Sequence, residues 1–96
     1  MLQAINGPTA GPAVIVVTTT AIEAKVGGSA LVDRKAILIQ PLVGDIFYGY
    51  DSGVTTVTGF KLQKNSFIHL PYTDKITIFL ISTSGVGIDV RISEVA

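Results

Sequence analysis

The segment IDVRISEV, Ile88–Val95, decides the fold class of this chain. Along it, apolar and polar side chains alternate, with Ile88, Val90 and Ile92 in one set and Asp89, Arg91 and Ser93 in the other. Because successive side chains of a β-strand point to opposite faces of a sheet, a period of two predicts a strand with one buried face and one face in water. Strands with one buried face and one solvent-exposed face are typical of antiparallel sheets.

Other short segments have a similar β-type composition and are separated by turn residues. Lys75–Ser82, KITIFLIS, is apolar on both faces and is therefore predicted to lie in the middle of a sheet. Lys61–Ser66 is polar and is predicted to be a turn. Further strands are predicted over Ala13–Thr20, within Ala21–Val26 as a continuation or a short second strand, and over Lys35–Leu42, Asp45–Tyr50, Val54–Phe60 and Phe67–Tyr72. About seven to eight short strands at intervals of ~8–12 residues indicate an all-β chain, folded as a single antiparallel β-sandwich or jelly roll.

The N-terminal stretch, residues 1–12, differs in composition from the rest of the chain. It is rich in Gly, Pro, Ala and Thr and has neither a helical nor a strand period. We therefore interpret 1–12 as an extended N-terminal arm and 13–96 as the β-sandwich domain. The apolar Leu2 and Ile5 are candidate interface residues, because a segment without local structure gains order only when a partner covers such side chains. The alternative is a loose terminus.

The composition predicts a subunit that associates with other chains. The 96 residues are 48% hydrophobic and only 15% charged, whereas a typical domain has about 25% charged residues. Excess apolar surface is usually covered in a subunit interface, so we expect an oligomer. Seven basic and seven acidic residues give no net charge, which argues against nucleic acid and anionic membrane as partners.

The sequence predicts a cytoplasmic site of synthesis. The first residues carry no basic region of a secretory signal. Ala13–Val17, the longest purely apolar run, is far shorter than the ~20 residues of a membrane helix. There is no cysteine, so disulfides and thiolate chemistry are excluded. We expect a protein that leaves the cell only by lysis.

No pattern of residues indicates catalysis, a metal or a cofactor. His69 is the single histidine, and a zinc site needs about three or four protein ligands, so we expect His69 to be a surface or interface side chain. The serines lack a G-x-S-x-G context, and Gly85-Val86-Gly87 lacks the third glycine of a dinucleotide fingerprint. The acids lie singly and are assigned mostly to strand ends and turns: Glu23, Asp33, Asp45, Asp51, Asp74, Asp89 and Glu94. We therefore expect no enzyme and no cofactor.

The aromatic stretch YGYDSG, Tyr48–Gly53, has two interpretations. Its DSG tripeptide has the composition of a turn between two strands, and this is the favoured interpretation. Tyr48 and Tyr50 share one face of the preceding strand, and with Tyr72 they are candidate interface residues, because tyrosine rings are often buried at an interface with their hydroxyls at its wet rim. The same tyrosines are those that would serve as platforms for a sugar in a carbohydrate-binding module.

Four motifs follow one another along the C-terminal part of the chain. They are an RK pair before an apolar strand, a GYDSxVTTxTGxxL segment, a strand similar to IYLIAxxG and a closing VRISE. In this chain the matching residues are Arg34 and Lys35, Tyr48–Thr58 with Gly59 and Leu62, Ile78–Ser82 with Gly85, and Val90–Glu94. With these motifs the chain resembles a recurrent group of small virion proteins of tailed bacteriophages.

This resemblance implies a structural component of a phage particle and carries over no catalytic residue. Proteins of the group are similar to head decoration, head-fibre or neck-associated components. We therefore expect a decoration or cement protein that binds the major capsid protein on the virion surface. A homotrimer is expected, because trimers suit the local three-fold positions of an icosahedral shell. The alternatives are a neck- or tail-associated structural protein and, from another class, a small carbohydrate-binding module on the virion.

Overall fold

The computed structural model describes residues 7–96, and this part of the chain folds as two antiparallel β-sheets without a helix. Within that range the strands are β1 (Thr9–Val17), β2 (Ile22–Glu23), β3 (Ala36–Pro41), β4 (Ile46–Gly49), β5 (Phe60–Leu62), β6 (Ile68–Leu70), β7 (Phe79–Ile81) and β8 (Ile88–Val95). The predicted all-β fold, made of short strands, is confirmed.

The strands form two four-stranded sheets. Sheet 1 has the order β1-β8-β3-β6 and sheet 2 the order β2-β7-β4-β5. Every neighbouring pair is antiparallel, as expected for a β-sandwich. The alternating strand β8 lies inside sheet 1. The apolar KITIFLIS segment supplies β7 inside sheet 2, as predicted, although its ladder covers only Phe79–Ile81.

The hydrophobic core lies between the two sheets. Its main side chains come from the inner strands of both sheets: Ile37, Ile39, Val90 and Ile92 of sheet 1, and Ile46, Tyr48 and Leu80 of sheet 2. Each of these side chains is less than a tenth exposed. The full burial of one such aliphatic side chain is worth ~1.5–3 kcal/mol. The alternation in β8 therefore marks the core face of sheet 1 correctly.

Residues 54–59 form a turn, so the strand predicted over Val54–Phe60 is wrong. The Thr55 hydroxyl oxygen accepts hydrogen bonds from two backbone N–H groups of the turn, at 3.2 and 3.1 Å. The Thr55 carbonyl oxygen accepts another from the Gly59 N–H at 2.8 Å. Threonine hydroxyls can compete in this way with a strand ladder for the backbone. Strand β5 begins only at Phe60 and extends into the segment that the sequence predicts to be a turn.

The predicted boundary between arm and domain, after residue 12, falls inside β1. Thr9 already pairs with Val95 of β8, and a bulge follows before the register resumes. Ahead of the strand, the N–H of Gly7 donates to the carbonyl oxygen of Ala96 at 2.6 Å. The second half of the predicted arm therefore belongs to the edge of sheet 1. The first half, residues 1–6, lies outside the described residues, and its role in attachment stays a prediction.

Candidate functional site

Four aromatic side chains gather around the C-terminal end of β4. The ring centroids of Tyr48 and Tyr50 are 6.5 Å apart and those of Tyr50 and Tyr72 are 5.8 Å apart, both in edge-to-face arrangements. The ring of Phe60 lies 5.4 Å from that of Tyr48. The structure thus brings together the three tyrosines singled out from the sequence and adds Phe60. We call these four residues the aromatic cluster.

The four rings differ in exposure. Tyr50 is 47% and Phe60 58% exposed, Tyr72 is half-buried, and Tyr48 is only 8% exposed. Tyr50 and Phe60 therefore form most of the accessible aromatic surface. Tyr48 belongs to the core and supports the accessible rings from below, so it is a weaker candidate for an interface contact than the sequence suggests.

Polar contacts join the two chain segments that carry the cluster. The hydroxyl oxygens of Tyr50 and Tyr72 are 3.1 Å apart and share a hydrogen bond, across 22 positions of sequence. The Thr77 hydroxyl donates to the carbonyl oxygen of Tyr50 at 2.8 Å. The end of β4 and the segment after β6 are therefore tied together at the surface.

A buried ion pair between Arg34 and Glu94 lies behind this surface. Arg34 Nη1 is 3.0 Å from Glu94 Oε2, and both side chains are 1% exposed. Glu94 also accepts hydrogen bonds from the backbone N–H groups of Val26 and Leu31, each at 3.0 Å. A protein interior tolerates such a pair only when further hydrogen bonds satisfy its atoms. Among the described residues, no buried side-chain nitrogen or oxygen lacks a partner.

The guanidinium of Arg34 holds the turn that carries Tyr72. Its Nε donates to the carbonyl oxygen of Tyr72 at 3.1 Å, and its Nη2 donates to those of Thr73 and Ile76 at 2.8 and 2.9 Å. The N–H groups of a guanidinium have fixed directions in one plane, so three carbonyls that meet it are fixed relative to one another. The ion pair thereby positions one ring of the aromatic cluster.

Glu94 lies near the end of β8, in line with the sequence interpretation, but its side chain is fully buried, which that interpretation does not predict. This residue lies inside β8 and follows Ile92 on the inward-facing side of the strand. The sequence does contain a signal for this burial. Glu94 lies two residues after Ile92 in an alternating strand, so its side chain points to the same face as the buried residues before it. Nothing in the sequence indicates that Arg34 is the partner, although both residues belong to motifs of the phage-protein resemblance.

An open hollow of about 290 Å³ lies beside the aromatic cluster. Tyr50 and Phe60 form part of its wall, and Asp51 and Thr58 add polar groups. The Asp51 carboxylate accepts a hydrogen bond from the Gly53 N–H at 2.8 Å, which confirms the turn predicted for the DSG tripeptide. A polar turn therefore borders an apolar ring surface.

Two glycines let this turn pack tightly against sheet 2. A Cβ added to Gly49 would lie 2.6 Å from Val54 Cγ2, and one added to Gly59 would lie 2.9 Å from Phe47 Cβ. Both distances are shorter than carbon atoms tolerate without displacement. The shape of the hollow thus depends on the absence of side chains at these two positions.

Two tyrosines of the aromatic cluster, Tyr48 and Tyr50, have raised pKa values. The hydrogen bond with Tyr72, and then burial, raise the pKa of Tyr50 above its ordinary value of 10.0. Burial raises the pKa of Tyr48. At neutral pH the site therefore offers uncharged donors and acceptors beside aromatic rings, which suits a neutral polar ligand or a protein surface.

The other residues singled out from the sequence lie away from this site. His69 is exposed on β6, opposite Leu38 of β3, in agreement with the prediction of a surface side chain. Leu2 and Ile5 lie outside the described residues. Between Gly7 and Ala96, no group of three or more His, Cys, Asp or Glu side chains is arranged to hold a metal ion.

Comparisons with known proteins give no identification. No family model, no curated protein and no solved structure matches the chain. The part of the chain described by the structure also contains no helix of the length and apolarity that a bilayer crossing requires. Function must therefore be argued from the surface and the site themselves.

Proposed function

We propose that this chain is a non-enzymatic structural protein of a tailed-phage particle, where it binds the capsid surface as a decoration or cement protein and stabilises the shell. The observation that carries the proposal is the apolar surface left outside the core. The exposed large hydrophobic residues are Val14, Val16, Ile22, Val32, Val43, Tyr50, Val57, Phe60, Phe67, Ile76 and Val86. Single exposed apolar residues are ordinary, but neighbouring ones on one face favour a covered surface.

The outer face of sheet 1 has this character most clearly. Val14 and Val16 on β1 are 55% and 50% exposed, and Phe67 ahead of β6 is 61% exposed. Between them, Arg91 of β8 pairs in register with Gln40 of β3. A face that combines apolar side chains with an arginine and an amide has the composition of a protein–protein interface. It gives a capsid protein a surface to contact.

The resemblance to small virion proteins supplies the partner and the location in this proposal. The partner is the major capsid protein, the location is the capsid surface of the virion, and the chain is made in the host cytoplasm. The proposed assembly is a homotrimer at local three-fold positions of the shell. The zero net charge favours protein partners over nucleic acid or membrane. The proposal includes neither a cofactor nor a catalytic step.

Quantitative mass spectrometry of purified particles tests the proposal through copy number. A decoration protein should be present in amounts comparable with those of the major capsid protein, whereas a few copies per particle would favour the neck or tail. Absence from the particles would refute both. Purified chain mixed with undecorated particles should then bind, and Phe67→Lys should weaken this binding. Val57→Lys, at a turn residue that is 91% exposed, is the matched control.

The aromatic cluster favours a second candidate function, the binding of a neutral carbohydrate. Accessible rings of Tyr50 and Phe60 stand beside the polar side chains of Asp51 and Thr58, and ligand sites commonly combine apolar walls with a few placed polar groups. Chemical-shift titration with neutral oligosaccharides should perturb this hollow, and Phe60→Ala should abolish the effect. Phe67→Ala, which changes an equally exposed phenylalanine elsewhere, should not. No perturbation at millimolar sugar would exclude this function.

A further inference from the structure

Strand β1 is the long open edge of the sandwich. It covers nine residues, Thr9–Val17, and among the residues that the structure describes it pairs with β8 alone. The other three edge strands are much shorter, with two residues in β2 and three in each of β5 and β6. Because alternate residues of an edge strand direct their N–H and C=O groups away from the sheet, β1 presents the longest row of such groups among the described strands.

The second half of this edge lacks the features that usually keep two sheet edges apart. Natural edge strands are protected by charged side chains, prolines or bulges. In β1, a bulge and Pro12 interrupt only the first half of the strand. The second half, Ala13–Val17, is uncharged and consists mainly of β-branched residues. Val14 and Val16 leave half of their surface exposed on the outer face of sheet 1. The second half of β1 is therefore a surface ready for pairing with another strand.

The partner that fits this edge best is β1 of a second copy of the chain. The shorter edges of a neighbouring copy match it poorly in length, and they carry charge at Glu23 of β2 and Lys61 of β5. A second β1 has the same length and the same uncharged composition. We propose that Ala13–Val17 of two copies pair antiparallel about a two-fold axis. This contact joins two four-stranded sheets, 4 + 4, into one sheet of eight strands.

The inference goes beyond the proposed attachment to a capsid and does not depend on it. A two-fold contact uses the same surface on both copies and closes as a dimer. A trimer needs a head-to-tail contact between two different surfaces, so β1 pairing cannot be the contact that makes the proposed trimer. The two proposals therefore fail or succeed separately in an experiment on the isolated protein.

The contact should be weak. Ala13–Val17 is roughly 16 Å long at ~3.3 Å per residue. A strip of that length along one sheet edge covers far less than the ~800 Å² per partner of a standard stable interface. We therefore expect a concentration-dependent dimer with a dissociation constant between roughly 10 µM and 1 mM.

Two positions on β1 accept a charge without a conflict inside the monomer. Val16 lies opposite Asp89 of β8, and Val14 lies opposite Arg91. Val16→Lys and Val14→Glu each place a charge beside its opposite on the neighbouring strand, which is a favourable cross-strand pair. The same charges protect the open edge from another strand. Val57→Lys adds a charge to an exposed valine in the turn before β5 and is the matched control.

Sedimentation equilibrium and amide hydrogen exchange of the purified chain, over ~10 µM to 1 mM, test the pairing. The wild type and Val57→Lys should dimerise alike, with amide exchange in Ala13–Val17 slowing as concentration rises. Val16→Lys and Val14→Glu should each raise the dissociation constant at least ~10-fold. A monomer throughout this range would overturn the proposal. An oligomer that forms without any change in amide exchange over Ala13–Val17 would also overturn the proposal. This outcome can be observed with the wild-type protein alone.

Discussion

Glu94→Gln should remove a large part of the stability of this protein. The change keeps the size of the side chain, but it removes the charge and converts one acceptor oxygen into a donor group. In the native structure Oε1 accepts from the Val26 N–H, and Oε2 accepts from the Leu31 N–H and from Arg34 Nη1, each at 3.0 Å. However the new amide is turned, its NH2 group faces at least one donor. Arg34 is also left buried without its counter-charge.

The expected loss is large compared with the total stability. Removal of one partner of a buried ion pair costs ~3–5 kcal/mol, and a native domain is stable by only ~5–15 kcal/mol. With a urea m-value of ~1–2 kcal/mol/M for a small domain, the midpoint should fall by roughly 1.5–5 M. Urea titration followed by far-UV circular dichroism measures this shift.

A matched control is the same substitution in an exposed ion pair. Lys25 Nζ lies 3.4 Å from Glu23 Oε1, and the two side chains are 30% and 25% exposed. Exposed pairs contribute ~0–1 kcal/mol, so Glu23→Gln should change the midpoint little. A loss below ~1 kcal/mol for Glu94→Gln would refute the importance assigned here to the buried pair.

A double variant, Arg34→Met with Glu94→Leu, tests whether the hydrogen bonds of this pair to the backbone stabilise the protein in addition to the ion pair itself. Apolar residues can often replace a buried pair without loss of stability. Here, however, Arg34 donates to three carbonyl oxygens and Glu94 accepts from two backbone N–H groups. The replacement therefore leaves 3 + 2 backbone groups to find new partners, at ~1 kcal/mol or more for each that stays buried. We expect no rescue, and a double variant as stable as the wild type would contradict this account.

Three further changes test the turn and the titrating groups. Gly59→Ala should lower the free energy of unfolding by ~1–3 kcal/mol in the urea titration, because its Cβ would lie 2.9 Å from a side-chain carbon of β4; an unchanged midpoint would contradict the tight packing. The pKa of Tyr50 is raised by its hydrogen bond with Tyr72 and by burial, so its contribution to stability is present below pH 10.0 and is lost as the pH rises through the raised pKa. Tyr50→Phe should accordingly flatten the alkaline loss of stability seen in urea titrations of the wild type. The pKa of Asp45 is lowered below 3.8, first by the hydrogen bond from the Lys64 N–H, so its contribution is present above pH 3.8 and is lost as the pH falls through the lowered pKa. Asp45→Asn should weaken that acid dependence, and equal acid profiles would show that the carboxylate contributes nothing.

The pattern of residues along the chain is enough to predict strands as its main element and to place several of them. The alternation over Ile88–Val95 predicted one buried face and one exposed face for β8. The apolar Lys75–Ser82 segment predicted an inner position in a sheet for β7. This was possible because the period of two follows from the geometry of adjacent residues and needs no knowledge of a partner strand. The sequence also singles out Tyr50 and Tyr72 as candidate interface residues, and the structure places their rings in contact.

Which distant residues meet depends on the packed fold and cannot be read from the pattern of residues. Arg34 and Glu94 are 60 positions apart, and they meet because the start of β3 lies beside the end of β8, where Ala36 pairs with Val95. The turn around Thr55 has a strand-like composition, but the hydrogen bonds that the Thr55 hydroxyl and carbonyl oxygens accept from the backbone hold it as a turn. The open edge at β1 follows from the order of the strands in sheet 1. Side-chain alternation describes the two faces of a strand, and it holds no information about which strand lies beside it, because that choice depends on packing across the whole core.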